Sequence, residues 1–340
     1  MHHGKEIYLF FNKYGNLGII GIIISFIFLG TIIYQVIKIS NKYKINNYEE
    51  FLEKLGTKNS IIKAIINIFL LISFYIMIAG FAAYIEQELN MPKIAGSLLI
   101  ILLCYITFTK NINGIIKANT FLIPILILFI IIFGIKNINL NNQTYIIESS
   151  EFNLKFIISA ILYASYNSIT IVPMLITIRK LVPTNNQNKI IFILVVITTI
   201  ILALIIYNLV LKIDIDINTI ELPTVYIANQ SGTIYKYLYG IIILVSIFTT
   251  AISAGYGFLQ NNAKTQKKYK KLNIIMCLSA IIVSNIGFSK LLNLLYPIFG
   301  ILGLIQIYRI FAISLEKNAQ NWYKFNRKNI RRKRYGNIAI

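Results

Sequence analysis

Three places in this sequence set polar or ionisable side chains among apolar ones. The first is the middle of 156–178, Tyr163-Ala164-Ser165-Tyr166-Asn167-Ser168-Ile169-Thr170-Ile171-Val172-Pro173. Ser159, Tyr163, Tyr166, Asn167 and Thr170 recur at one-face helical spacing, so a helix would carry them as one polar stripe. Pro173 lacks a backbone N–H, and in a helix its ring meets the carbonyl four residues back, at Ile169. Asn167, Ser168 and Thr170 can bond local backbone groups and so compete with helix. Two readings fit: a broken helix whose polar stripe forms a substrate site, or a proline-kinked helix whose hydroxyls bond back to their own backbone.

The second place is Ser246, Thr249, Thr250 and Ser253, four hydroxyls on one helical face. With free carbonyls nearby such oxygens suit a hard cation such as Na⁺. The competing reading is packing through small residues, supported by Ala251, Ala254, Gly255 and Gly257. The third is the Lys5–Glu6 pair, an ionisable pair beside apolar sequence and a functional hypothesis for that reason. So few residues precede it that water reaches it unless it folds inward. Glu86 and Glu88 read as solvated residues closing an apolar run, and Lys290 as an interface residue. Enzyme chemistry has no foothold: there is no phosphate-binding glycine loop, no His-Glu-x-x-His and no Gly-x-Ser-x-Gly. Cys104 and Cys277 sit in apolar runs and read as small core residues, and His2 and His3 are the sole histidines.

These residues must be positioned by an apolar framework. Of 340 residues 57% are hydrophobic and 13% charged, against roughly 25% charged in a soluble domain. With a mean hydropathy of +0.70, the chain carries more Ile, Leu and Phe than a soluble interior could hold. A lipid bilayer is the expected partner. Runs long enough for helical crossings lie at 17–37, 64–85, 94–109, 118–135, 156–178, 190–211, 237–263, 272–289 and 291–308. The run 94–109 is the short one, bracketed by Lys93 and Lys110, which can snorkel. The stretch 4–14 as a helix reaches only ~17 Å, about half a bilayer. Residues 46–56 read as a surface helix, with Tyr48, Phe51, Leu52 and Leu55 on one face. Residues 212–233 read as a polar loop.

The net charge of +21 does not imply nucleic acid, because the basic residues cluster between apolar runs and in the tail. Placing the loop after 17–37 inside puts 25 of the 33 Lys and Arg on the inner side, so the C-terminus is expected in the cytoplasm of a bacterial cell. The expected organisation is a single transmembrane domain over 1–315 and a basic tail over 316–340.

Read together, the motifs resemble the YkvI-type membrane proteins of Gram-positive bacteria, a group that looks related to the amino acid–polyamine–organocation transporters. Gly4-Lys5-Glu6-Ile7-Tyr8-Leu9-Phe10-Phe11 is similar to the end of that family's first-helix motif. Leu162-Tyr163-Ala164-Ser165-Tyr166-Asn167 resembles its sixth-helix break, and Thr249-Thr250-Ala251 its eighth helix. The resemblance implies an all-α, LeuT-type inverted-repeat bundle of nine full spans plus a truncated first helix. It implies substrate contacts from Gly4, Glu6, Tyr163, Tyr166, Asn167 and Ser168, and a cation site at Thr249, Thr250 and Ser253. The family's Gly-x-Gly-Phe-Ala half-helix would lie upstream of Gly4, so a misplaced start or truncated product with impaired transport is expected.

The expected function is secondary transport of a small solute, such as an amino acid, coupled to Na⁺ or H⁺, with no other cofactor. The alternative is a non-transporting receptor or complex subunit of permease fold, like that of spore germinant receptors. Oligomeric state is left open.

Overall fold

Backbone amides cannot stay unpaired in hydrocarbon, so long apolar runs close their hydrogen bonds internally and become helices. The computed structural model describes residues 4–56, 60–140, 154–178, 187–213, 217, 220, 222–263, 265–288, 290–292 and 299–313. Among these residues the regular structure is helical and contains no strand. The helices are α1 (Lys5–Phe10), α2 (Asn16–Lys42), α3 (Tyr48–Lys54), α4 (Ser60–Leu89), α5 (Lys93–Thr109) and α6 (Asn111–Leu140). They continue as α7 (Lys155–Ile178), α8 (Gln187–Val210), α9 (Pro223–Gln230), α10 (Thr233–Asn262), α11 (Gln266–Ser284) and α12 (Phe299–Ile313). A 3₁₀ turn, Asn12–Tyr14, joins α1 to α2.

Among the described residues six helices are long and apolar enough to cross a membrane: α2, α4, α6, α7, α8 and α10. The other three expected spans fall short for separate reasons. With 17 residues, α5 reaches only ~25 Å. Lys267, Lys268, Lys270 and Lys271 crowd the start of α11. In the run 291–308, residues 293–298 lie outside the described residues. The expected basic tail 316–340 lies outside them too.

Helix exteriors show what solvent they face. On α5, Leu98, Leu99, Leu102, Leu103 and Ile106 are exposed, and on α8 Ile193, Leu194, Val195 and Ile197 are exposed. In water such continuous apolar surface would drive association; against lipid it is ordinary.

Two parts of the expected layout change. The polar loop 212–233 contains a helix, because Pro223 presets the first helical turn and Val225, Ile227 and Ala228 bury one face. Glu88 is half-buried and paired rather than simply solvated: its carboxylate accepts from Asn229 Nδ2 at 3.0 and 2.9 Å and lies 3.3 Å from Lys236 Nζ, so it ties α4 to α9 and α10. Glu86 does remain near the surface, paired with Lys93 at 3.0 Å. The surface helix α3 is capped as its sequence requires, with the Asn47 side chain accepting from Glu50 N and the Glu50 carboxylate accepting from Asn46 N. Tyr48, Phe51, Leu52 and Leu55 are buried, as are Cys104 and Cys277.

Lys5 folds inward. It is 1% exposed, and its ammonium donates to the carbonyls of Ile217 at 2.8 Å and Ile220 at 2.7 Å. That anchors α1 to the α8–α9 connection. Lys5→Met keeps the stem but removes charge-assisted bonds from two carbonyls, a loss of about 2 kcal/mol. Hydrogen exchange of the Ile217 and Ile220 amides is expected to speed up in this variant. Unchanged exchange there would refute the anchoring role.

Candidate functional site

Local geometry at the N-terminus explains how a carboxylate reaches the interior. Gly4 takes a left-handed φ of +72°, and a Cβ there would lie 2.9 Å from both Thr224 and Val210, so glycine fits where other residues would be strained. The Phe10 carbonyl accepts from Ser159 Oγ on α7 at 2.7 Å. The rings of Phe10 and Phe11 meet Tyr163 edge-on at 5.2 and 5.0 Å, and Phe26 of α2 reaches it at 5.7 Å. Asn12 Nδ2 donates to the Tyr207 carbonyl, while Tyr207 Oη donates to the Gly15 carbonyl. Held on α2, α7 and α8, the segment turns Lys5 toward the connection and Glu6 toward the centre of the bundle.

Glu6 is 4% exposed and lines a cavity of about 430 Å³. This lies within the size range of small-molecule sites. Across it, Tyr166 Oη donates to Glu6 Oε1 at 3.4 Å, a long hydrogen bond. Asn167 joins Tyr166 from α7, and Thr249, Thr250 and Ser253 come from α10. Apolar walls are supplied by Ile76 and Met77 of α4, Leu126 and Ile130 of α6, and Leu202 and Ile206 of α8. Ser73 and Thr199 add two more hydroxyls.

Most hydroxyls in this wall are already committed. Thr249 and Thr250 both donate to the Ser246 carbonyl, at 3.0 and 2.9 Å, and Ser253 donates to the Thr249 carbonyl at 2.8 Å. Thr199 donates to Val195 and Val196 carbonyls. On α7, Ser165 and Ser168 donate to carbonyls of Ile161 and Ser165, and Asn167 Nδ2 to that of Tyr163. The helix α7 is continuous through Pro173, and Ser165, Asn167 and Ser168 bond back to it, while Ser159 and Tyr166 reach across to α1. This is the second of the two sequence readings, and the break implied by the resemblance is absent here. The Thr170 side chain lies outside the described residues.

Of the nine site candidates, six line one cavity: Glu6, Tyr166, Asn167, Thr249, Thr250 and Ser253. Gly4, Tyr163 and Ser168 do not. Gly4 sets the backbone turn, Tyr163 is a fully buried packing post, and Ser168 is a buried hydroxyl bonded within α7. Sequence reasoning missed the α4, α6 and α8 walls. Their Ile, Leu and Met residues carry no signal that separates cavity lining from lipid contact. Among the described residues no group of three His, Cys, Asp or Glu side chains could hold a metal ion.

Fold and site together define an α-helical membrane protein with a carboxylate-bearing cavity between its helices. No protein-family model matches the chain. It is 26% identical over 327 residues to the "uncharacterized membrane protein YkvI" of Bacillus subtilis (strain 168), covering 89% of this chain and 88% of that protein. It is 25% identical over 324 residues to the "uncharacterized protein YyaD" of the same organism, covering 94% and 93%. The resemblance to YkvI-type membrane proteins therefore extends along most of the chain.

Proposed function

We propose that this protein is a permease-like secondary transporter of a small solute, coupled to Na⁺ or H⁺. A membrane protein built of apolar helices and related to YkvI is consistent with such a role. The observation that carries the reading is the cavity, which gathers Glu6 and the polar faces of α7 and α10 between apolar walls. A membrane-depth carboxylate is costly to keep, and a solute or ion path is a standing reason to keep it. The proposal includes the LeuT-type arrangement, with nine full crossings, α1 as the outer part of the first helix, and α7 facing it across the site. It assigns no enzymatic step.

Uptake by proteoliposomes tests this directly. The purified protein should accumulate at least one solute from a broad panel of amino acids and amines, driven by a Na⁺ or proton gradient. Thr250→Phe, which fills the cavity from α10, should reduce that uptake about tenfold or more while leaving the melting temperature near that of the wild type. No accumulation of any solute under either gradient would overturn the transporter reading.

A further inference from the structure

The helix α11 opens Gln266-Lys267-Lys268-Tyr269-Lys270-Lys271, and its four lysines are all exposed. A helix start carries a partial positive charge, which disfavours cations and favours an anion. Thr265 caps this start by accepting from Lys268 N at 3.3 Å, which adds no negative charge. No Asp or Glu occurs in 89–147 or in 222–315, so neither α11 nor its neighbour α5 carries a carboxylate of its own. Tyr269 Oη donates to the Phe108 carbonyl at 3.2 Å, so Lys110, exposed where α5 ends, adds another ammonium at the same end. The ion pairs among the described residues join Glu86 to Lys93 and Glu88 to Lys236, and include none of these lysines.

The lysines continue an apolar stripe. Lys267, Lys271, Ile274, Leu278 and Ile282 follow one another at three- or four-residue steps, so they share one face of α11. All five are exposed, while Asn273, Met276 and Ala280 on the opposite face are buried. From Lys271 to Ile282 the stripe runs ~16 Å, close to half of a ~30 Å hydrocarbon core and so to the depth of one leaflet. The helix α5 packs antiparallel alongside, joined at its other end through Ser97 Oγ and Ser284 Oγ at 2.9 Å, and its exposed Leu98 and Leu102 extend the apolar surface. We infer that this face of α11 binds an anionic phospholipid, with the headgroup phosphate at Lys267, Lys270 and Lys271 and an acyl chain along Ile274, Leu278 and Ile282. A lipid fits better than a free phosphate because charge and apolar surface share one face, in the order of a headgroup and its chain. A zwitterionic lipid would bring its own ammonium up to the lysines, so the net-anionic class is selected. The inference requires only that α11 lies against the bilayer, and it is independent of the transporter reading.

Native mass spectrometry of the detergent-solubilised full chain tests this by titration with dioleoylphosphatidylglycerol or dioleoylphosphatidylcholine. The first phosphatidylglycerol should bind about tenfold or more tightly than the first phosphatidylcholine. The triple variant Lys267→Gln/Lys270→Gln/Lys271→Gln should lower phosphatidylglycerol affinity about tenfold or more. Lys38→Gln/Lys42→Gln/Lys44→Gln removes the same charge from exposed positions at and just beyond the end of α2, and should leave that affinity within about twofold. Glycerol 3-phosphate, a headgroup without chains, should not displace the lipid even at about a hundredfold excess, because it lacks the apolar part of the contact. Should the triple variant on α11 fail to fold, Lys271→Gln alone takes its place, with an expected loss of about fivefold. Equal binding of the two lipids would remove the charge preference and overturn the site. Equal loss in the two triple variants would spread the attraction over the basic surface and overturn it as well. Displacement by glycerol 3-phosphate would make the ligand a soluble phosphate and overturn the lipid assignment.

Discussion

Tyr163→Ala is expected to be the most destabilising single substitution in the N-terminal half, at about 3–5 kcal/mol. The side chain is fully buried and its ring is met edge-on by Phe10, Phe11 and Phe26. Helices in lipid gain little from excluding water from one another, so contact of this kind is what holds them. Removing the ring deletes three aromatic contacts and leaves a cavity at the point where α1, α2 and α7 meet. The segment 4–14 should then lose its seat on α7. Thermal unfolding of detergent-solubilised protein, followed by size-exclusion chromatography, reads the loss. Limited proteolysis at Lys5 and Lys13 reads the release of the segment. Tyr163→Phe keeps the ring and should melt within a few degrees of wild type. Equal loss in both variants would show that the hydroxyl matters, and wild-type stability in Tyr163→Ala would refute the packing role.

Gly303→Ala comes next, at about 1–3 kcal/mol from a single added methyl. A Cβ at Gly303 would lie 2.1 Å from the Ser165 carbonyl oxygen and 2.4 Å from its carbon. The obstacle is backbone, so no rotamer change relieves it, and α12 must move away from α7. Gly300 approaches the same helix at Leu162. Gly257→Ala is the matched control: its Cβ would meet Leu70 at 3.4 Å, an ordinary contact, and helix propensity favours alanine. A lower melting temperature for Gly303→Ala with no loss for Gly257→Ala is the expected pair of results. Equal melting temperatures would show that α7 and α12 do not touch this closely.

Legibility of the site followed from where its signals were polar. The stripe Tyr166, Asn167 and the face Thr249, Thr250, Ser253 stood out because hydroxyls and amides interrupt apolar runs at helical spacing, and all five line the cavity. Periodicity could assign a face to them; it could not say whether their protons point at a ligand or at their own helix. The structure shows the second for Thr249, Thr250 and Ser253, each of which donates to a carbonyl three or four residues back, and a reach across the site for Tyr166, which donates to Glu6. Tyr163 and Ser168 belong to the same polar segment yet turn away from the cavity, because a helix spreads consecutive residues around its axis and packing decides which arc is inside. Lys5 and Glu6 are adjacent in sequence and have different fates for the same reason: one is bonded to the α8–α9 connection and the other faces the cavity.

The sequence by itself determined the solvent this chain lives in, the helical class, and the approximate positions of its long apolar helices. Those follow from local composition: an apolar run of sufficient length must satisfy its own backbone in lipid, whatever its neighbours do. The continuity of α7 and the half-buried network at Glu88 were decided only by tertiary structure. So were the apolar walls from α4, α6 and α8, and above all the inward fold of Glu6. Each depends on which residue distant in the chain stands opposite, and six residues of helix carry no record of that. The Glu6 side chain, two positions from the first described residue, becomes a buried carboxyl group because Ser159, Tyr163 and the Ile217 and Ile220 carbonyls hold the segment that bears it.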